Sequence, residues 1–353
     1  MNKKYFTKEL VRWHAHVNMR SLPWKEEKDA YKIWLSEIIL QQTRAQQGLP
    51  YYLKFVEAYP SVKKLARAEE ESVYRLWQGL GYYNRCKNML ATARYIAEEL
   101  GGKFPKEYEG ILALKGIGPY TAAAIASFAY GLPYAVVDGN VYRVLSRYFG
   151  IDTPIDSTEG KRVFAELADE LLDKSDSGGY NQAIMDLGAT VCTPQNPNCG
   201  ECPVQKHCVA YKQGLIGELP VKSKKLKVRK RYFHYILLHA ADTLWIHKRS
   251  AGDIWENLHE PLLVEHTSQL DSKELQKQEA YLLLPIGKQV LTFEGSLSQK
   301  LTHQTVESRF FSLHLDKAIQ MPENAGKWVK IKELKKYAFP KTVLSFLEKK
   351  LYF

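Results

Sequence analysis

The stretch LKGIGPYTAAAIASFAYGLPYAVVDGN, Leu114 to Asn140, decides how this chain is read. Gly116 and Gly118 predict a tight bend between two helical patterns, with Leu112 and Leu114 in the incoming helix. Pro119 suits the first turn of the outgoing helix, where a missing N–H costs nothing. In its plainest sense this is a helix–turn–helix connection. Bare backbone amides beside a helix N-terminus also make a seat for a phosphate, because no side chain blocks its approach. Downstream stands one carboxylate, Asp138, ahead of NVYRVLSRYF, where Val141, Val144, Leu145 and Tyr148 share a helical face. An aspartate at that place is most simply an N-cap.

Working upstream, apolar residues recur at spacings of three and four over 31–47, 51–58, 71–78 and 86–100, and again over 119–130 and 141–149. Pro and Gly breaks such as AYPS, GGKFP and GLPY separate these spans. The first of them, YKIWLSEIILQQTR, holds a second carboxylate, Glu37. Its neighbours three and four positions away are Ile33, Trp34, Leu40 and Gln41. An acid so surrounded is desolvated, and its pKa should rise toward the range a general acid needs near neutral pH. The competing reading is a wet helix face formed by Glu37, Gln41 and Arg44.

Downstream, Cys192, Cys199, Cys202 and Cys208 are separated by six, two and five residues. Clustered cysteines without a secretory signal read as metal ligands rather than disulfides. Structural zinc favours two short pairs, and only one is present. Four thiolates converging from one loop suit a cubane [4Fe–4S] cluster, with zinc as the alternative. Cys86 stands alone and reads as core.

The whole chain fits this picture. A length of 353 residues exceeds one ordinary core and points to two domains. Fractions of 45% apolar and 25% charged residues are those of a soluble globular protein. No apolar run reaches the roughly 18 residues needed to cross a bilayer, and the N-terminus lacks an apolar signal region. A cytoplasmic protein with no membrane partner is therefore expected, nucleoid-associated if bacterial. A net charge of +11 points to a polyanion, most commonly nucleic acid. A basic linker, 219–231, carries seven Lys or Arg between Lys222 and Arg231. Beyond it YFHYILLHAADTLWIHKR predicts two strands around a short turn. QVLTFEGSL and VESRFFSLHL are further strand candidates, and VKIKELKKYAFPKTVLSFLEKKLYF ends the chain as a short strand and helices. This half reads as a separate α+β domain.

Together LKGIGPYT, the acid in VDGN and the four-cysteine loop resemble the helix–hairpin–helix DNA glycosylases related to endonuclease III. SEIILQQTR, GLGYYNR and NQAIMDLGATVC narrow the resemblance to MutY-type adenine DNA glycosylases. The resemblance implies a mainly α helix–hairpin–helix glycosylase region over 1–218 with a [4Fe–4S] loop. That region divides into a six-helix subdomain at about 25–133 and a cluster subdomain built from the N-terminus and 134–218. A C-terminal α+β Nudix-like domain, 232–353, would read the lesion. The partner implied is double-stranded DNA holding adenine opposite 8-oxoguanine or guanine, bound by a monomer.

The resemblance also implies site roles. Glu37 would protonate adenine at N7, and Asp138 would stabilise the oxocarbenium character of the sugar. Tyr120 and Asn140 would orient and support that carboxylate. Gln42 and Tyr82 would wedge into the duplex, Thr43 and Leu80 would line the partner-base pocket, and Gln182 would sit near the flipped adenine. Gly116 and Gly118 would hold a phosphate, and Arg20 and Trp24 would contact the DNA or lesion. Tyr120 stands where the related bifunctional enzymes carry a lysine that attacks the sugar, so water would be the nucleophile here. Thr302 and His303, in LTHQ, would match the lesion-reading loop, with Leu301 in place of an aromatic. The competing reading of LTHQ is an ordinary start to a strand. Lys25 stands where some relatives use arginine. The segment after SAGDIWENLHEPLLVEH lacks the Gly-x5-Glu-x7-Arg-Glu pattern, so pyrophosphatase activity is not expected. Two alternatives remain: a bifunctional endonuclease III-like glycosylase/lyase, and a non-enzymatic iron–sulfur protein that binds DNA lesions.

Overall fold

The computed structural model describes residues 2–223, 228–285, 289–321 and 325–350. Part of the expected basic linker, 224–227, and the last three residues of the expected C-terminal helix lie outside the described residues. The chain divides into two compact units. One joins Met1–Arg67 to Asn88–Lys225, and the other joins Ala68–Lys87 to Leu226–Phe353. The second unit thus includes a stretch that the sequence division places inside the helical region.

The first unit is helical: α1 (Lys3–His16), α2 (Ala30–Leu40), α3 (Ala45–Ala58) and α4 (Val62–Ala66) precede the boundary. α5 (Glu70–Trp77) belongs to the second unit, and the boundary runs through α6 (Tyr83–Glu98). Then follow α7 (Tyr108–Leu112), α8 (Pro119–Tyr130), α9 (Gly139–Phe149), α10 (Thr158–Leu171), α11 (Ser177–Thr190) and α12 (Val209–Gln213). α2 is the innermost. Asp29 caps its start, and every residue but Lys32 and Leu40 is buried as it packs on α3 and α8. α1, α9, α10 and α11 close around Phe6, Leu10, Leu145, Phe164 and Leu187. α8 bridges the two groups, touching α2 and α11, because its alanines allow close approach on both sides.

Two details depart from the periodicity. The pattern over 31–47 is not one helix: α2 ends at Leu40, and a turn at 41–44 precedes α3. Gln42 takes a left-handed conformation there, φ 56°, which a helix cannot continue through. This also removes the wet face of Glu37, Gln41 and Arg44, since only Glu37 lies on α2 and it is 6% exposed. Likewise α7 stops at Leu112, so Leu114 belongs to the bend itself, where its carbonyl accepts the Ile117 amide at 3.1 Å.

The second unit is built on a sheet of β1 (Arg229–Ala240), β2 (Thr243–Lys248), β3 (His259–Glu260), β4 (Leu262–His266), β5 (Thr292–Lys300), β6 (Gln304–Leu315) and β7 (Lys327–Lys330). The order is β3-β2-β1-β6-β5, with β4 on β1 and β7 on β2. β1 and β6 run parallel from Arg229↔Gln304 to Ala240↔Leu315, and β5 and β6 form an antiparallel hairpin. Ile236, Leu238, Trp245, Phe311 and Leu313 form the core of one face. Short helices α13 (Ser272–Leu275) and α14 (Glu279–Leu282) follow β4. α15 (Lys341–Lys349) lays Phe346 flat on Phe310, with centroids 3.9 Å apart. LTHQ joins β5 to β6 at the tip of their hairpin, and its Gln304 is the first residue of β6, so the strand-entry reading describes its backbone.

Candidate active site

Three helix ends in the first unit build the centre. α2 carries Glu37 in its last turn, α8 carries Tyr120 in its first turn, and Asp138 caps α9. Gln41 Nε2 donates to Thr121 Oγ1 at 3.2 Å, tying the end of α2 to the start of α8. Glu37 is buried, and burial pushes its carboxyl up from 4.5 to about 7. The Tyr120 hydroxyl donates to that carboxyl and pulls it partly back, while the nearby charge of Asp138 pushes it up further. Near neutral pH the group therefore holds a proton it can give away.

Asp138 is the N-cap the sequence predicts. Its Oδ1 accepts the amides of Asn140 and Val141, both at 2.8 Å, and its Oδ2 accepts Asn140 Nδ2 at 2.7 Å. Burial raises its pKa, and the Val141 and Asn140 donors with the Arg143 charge oppose that rise. Asn140 is itself oriented, since its Oδ1 accepts Arg143 Nη2 at 2.8 Å. Arg143 also donates to the Gly188 carbonyl at 2.6 Å and the Cys192 carbonyl at 2.7 Å. Gly188 is required by proximity: a Cβ there would stand 2.6 Å from the Asn140 Cβ. No local pattern in the sequence marks Arg143 as part of the site. Its only signal was a basic side chain on α9 one turn from Arg147, both of which face the cysteine loop.

Around the bend, Gly116 has φ +80° and a Cβ there would meet Asn88 Cβ at 2.8 Å, so only glycine fits. A Cβ on Gly118 would meet nothing within 4 Å. Its bareness leaves the uncapped start of α8 open to an approaching anion.

The four cysteines line one cavity together with Arg147, Asn198, Gln205 and Tyr211. Arg147 Nη1 reaches Cys192 Sγ at 3.5 Å, while its other donors hold the Thr193, Pro194 and Leu219 carbonyls. Among the described residues no three His, Cys, Asp or Glu side chains are placed to hold a single metal ion. Four thiols lining one cavity are the donor set a [4Fe–4S] cluster takes. Such a cluster would supply four iron–thiolate bonds that staple the loop 192–208 beneath α9.

Gln42 is exposed, and Thr43 Oγ1 donates to the Gln41 carbonyl at 3.3 Å. Gln182 is half-buried on α11. Arg20 Nη1 donates to Asp186 Oδ1 at 2.7 Å, and Lys25 bonds the same carboxylate. Asp186 is fully buried and organises the loop 18–25, a role that its motif NQAIMDLG did not reveal. Trp24 is buried edge-on to Tyr52 at 5.3 Å, so it supports that loop from the core. In the second unit Leu80 is buried and Tyr82 is 44% exposed with φ 51°. The Tyr82 hydroxyl is hydrogen-bonded to the Thr302 hydroxyl on the β5–β6 tip, and His303 next to it is exposed. Three carboxylates of the segment after β2, Asp253, Glu260 and Glu265, are engaged by guanidinium groups, and Glu256 pairs with Lys87. Arg249 holds Glu260 at 2.7 and 2.8 Å, and Arg231 holds Asp253 at 2.6 Å.

Comparison with known proteins defines the class first. Residues 35–170 match the HhH-GPD superfamily of base excision DNA repair proteins, 192–208 the iron–sulfur binding domain of endonuclease III, and 234–349 the NUDIX domain. A thermostable thymine-DNA glycosylase is similar at 29% identity and a TM-score of 0.55, over 60% of this chain and 97% of that one. An endonuclease III captured as a covalent intermediate with DNA shares the fold, at 18% identity and a TM-score of 0.52, over 60% of this chain and 96% of that one. The adenine DNA glycosylase of Buchnera aphidicola from Schizaphis graminum is 31% identical over 97% of this chain and 98% of its own. The Mus musculus adenine DNA glycosylase is 44% identical over 61% of this chain and 43% of its own. The chain belongs to the adenine DNA glycosylase family and carries the family's iron–sulfur loop.

Proposed function

We propose that this enzyme hydrolyses the N-glycosidic bond of adenine in duplex DNA where the adenine faces 8-oxoguanine or guanine, without cutting the strand. The observation that carries the reading is the pairing of Glu37 and Asp138 through Tyr120. One carboxyl is protonated near neutral pH. The other is surrounded by three donors that favour its charged form.

Adenine inside the stack is out of reach, so it is turned out of the duplex, which costs a few kcal/mol. Glu37 then delivers its proton to N7, which makes the base a better leaving group. As the bond breaks, positive charge grows on the sugar, and the Asp138 carboxylate, oriented by Asn140, stabilises it. Tyr120 orders Glu37 but offers no amine, so no Schiff base forms at that place and water completes the reaction. Gln42 and Tyr82 are suited to fill the gap left by the base. Both are exposed and both adopt backbone conformations that a non-glycine residue rarely holds, as strained functional positions do. Gly116 and Gly118 at the start of α8 would seat a phosphate, and Thr302 would hydrogen-bond the damaged guanine.

The test is a duplex with adenine opposite 8-oxoguanine, incubated with the enzyme and analysed with and without alkali. Free adenine with strand breaks only after alkali is expected. Breaks without alkali would return the bifunctional alternative, and no adenine release would defeat the assignment.

A further inference from the structure

The span 71–78 reads in sequence as one more helix of the glycosylase region, yet the stretch 68–87 around it is built into the same unit as the sheet. Its attachment is specific. The buried amides of Ala338 and Phe339, which follow the last strand, donate to side chains of this segment. Glu71 Oε1 accepts the Ala338 amide at 2.8 Å, and Gln78 Oε1 accepts the Phe339 amide at 3.0 Å. The Ala338 carbonyl in turn accepts the His259 amide at 2.7 Å, so the latch grips next to β3. Asn257 Nδ2 donates to the buried Tyr74 hydroxyl at 3.1 Å, and Lys248 reaches Glu70 at 3.2 Å.

From this grip a stiff turn runs to Tyr82. Trp77 Nε1 donates to the Gly81 carbonyl at 2.9 Å, and the Gly79 amide donates to the Tyr83 hydroxyl at 3.2 Å. Arg85 lies over the rings of Trp77 and Tyr82, 5.2 and 5.3 Å from their centroids. At the far end the Tyr82 hydroxyl meets Thr302 on the β5–β6 tip. The turn 78–83 is therefore held at both ends by the sheet-bearing unit.

We propose that Glu71 and Gln78 are positioning residues for partner-base specificity: they fasten the Leu80–Tyr82 turn to the C-terminal domain, so that this turn and the Thr302 hairpin read the base opposite adenine as one piece. The proposal rests on the reading of 8-oxoguanine and guanine as the bases that face the adenine, and takes 8-oxoguanine as the preferred of the two. Each acceptor holds a buried backbone amide, and replacing it with alanine removes that hydrogen bond. The strain falls on the turn, not on Glu37 or Asp138, neither of which belongs to this unit.

The test uses the full-length enzyme with its cluster. Single-turnover base release is measured against enzyme concentration for adenine opposite 8-oxoguanine and opposite guanine. In the double variant Glu71→Ala/Gln78→Ala the preference for 8-oxoguanine should fall about tenfold, the loss of roughly one hydrogen bond's discrimination. The variant Glu71→Gln/Gln78→Glu keeps an oxygen acceptor at both positions and should restore most of the preference, which a general packing defect would not allow. Hydrogen exchange at the amides of 338–339 should quicken in the alanine variant and recover in the acceptor-preserving one. A folded alanine variant with undiminished preference, or equal losses on both substrates, would overturn the latch. A wild-type enzyme with no preference between the two duplexes would overturn the latch but leave the glycosylase reading standing, whereas no adenine release from either duplex would defeat that reading itself.

Discussion

The protonation of Glu37 is the most exposed point of the mechanism, and Glu37→Gln tests it through stability as well as rate. Burial raises the carboxyl from 4.5 to about 7. A raised folded-state pKa means that the fold favours the protonated form. That contribution is whole below about pH 4.5 and is lost as pH climbs through 7. The shift corresponds to about 3 kcal/mol, at roughly 1.4 kcal/mol per pH unit. Glutamine imitates the protonated acid at every pH and keeps an oxygen for the Tyr120 hydroxyl. The variant should thus match the wild type at pH 4.5 within about 0.5 kcal/mol and exceed it by about 3 kcal/mol from pH 7 upward. By scanning calorimetry this is a gain of roughly 6–12 °C in Tm at pH 8, shrinking to a few degrees at pH 5. Base release should behave oppositely. Glutamine cannot donate the proton, so single-turnover rates should drop by roughly 10²–10⁴. The wild-type rate should fall about tenfold per pH unit above 7, as the acid form is depleted. A Tm difference independent of pH between 5 and 8, or a wild-type rate flat from pH 6 to 9, would refute the buried-acid account.

Tyr120→Phe removes the hydrogen bond that holds the Glu37 pKa down, so the alkaline limb of the rate profile should move up by roughly half to one pH unit; a downward move would contradict the geometry. Asp138→Asn keeps an oxygen for the two α9 amides but loses the charge, so DNA affinity should hold within about threefold while base release drops by roughly 10² or more, measured by gel shift and single turnover. Arg143→Gln strands the Asn140 side chain, the buried Gly188 carbonyl and the half-buried Cys192 carbonyl; a loss of about 2–4 kcal/mol in unfolding stability is expected, with a lower rate at saturating enzyme. Cys199→Ser removes one of the four thiols around the cavity; iron content and visible absorbance should fall, and limited proteolysis should cut within 192–208.

Much of the centre was legible because it is local. The helical period, Pro119 at the first turn, the Asp138 cap and the apolar neighbours of Glu37 all act within about four residues of sequence. The cysteine spacing is local as well. Failures began where periodicity had to be interrupted. The 31–47 pattern continues through Gln42, but the backbone turns left-handed there and places that side chain outward. Asp186 and Arg143 were silent because a buried charge is recognised by its partners. Arg20 lies 166 residues from Asp186, and the Cys192 carbonyl lies 49 from Arg143.

What the sequence by itself determined was the set of elements and their chemistry: a helical region with a glycine bend, two unequal carboxyls, a four-thiol loop and a strand-rich second half. Hydrogen-bonding and hydrophobic period along a single segment suffice for that. Only the tertiary structure decided which segments belong together. Helix α5 has the same periodicity as its neighbours, but Glu71 within it and Gln78 at its C-terminal cap meet amides 267 and 261 residues away. The parallel pairing of β1 with β6 likewise depends on a crossover that no local pattern encodes. Contacts made across such distances follow from which buried groups can satisfy one another once the chain is compact, and that is a property of the packed molecule.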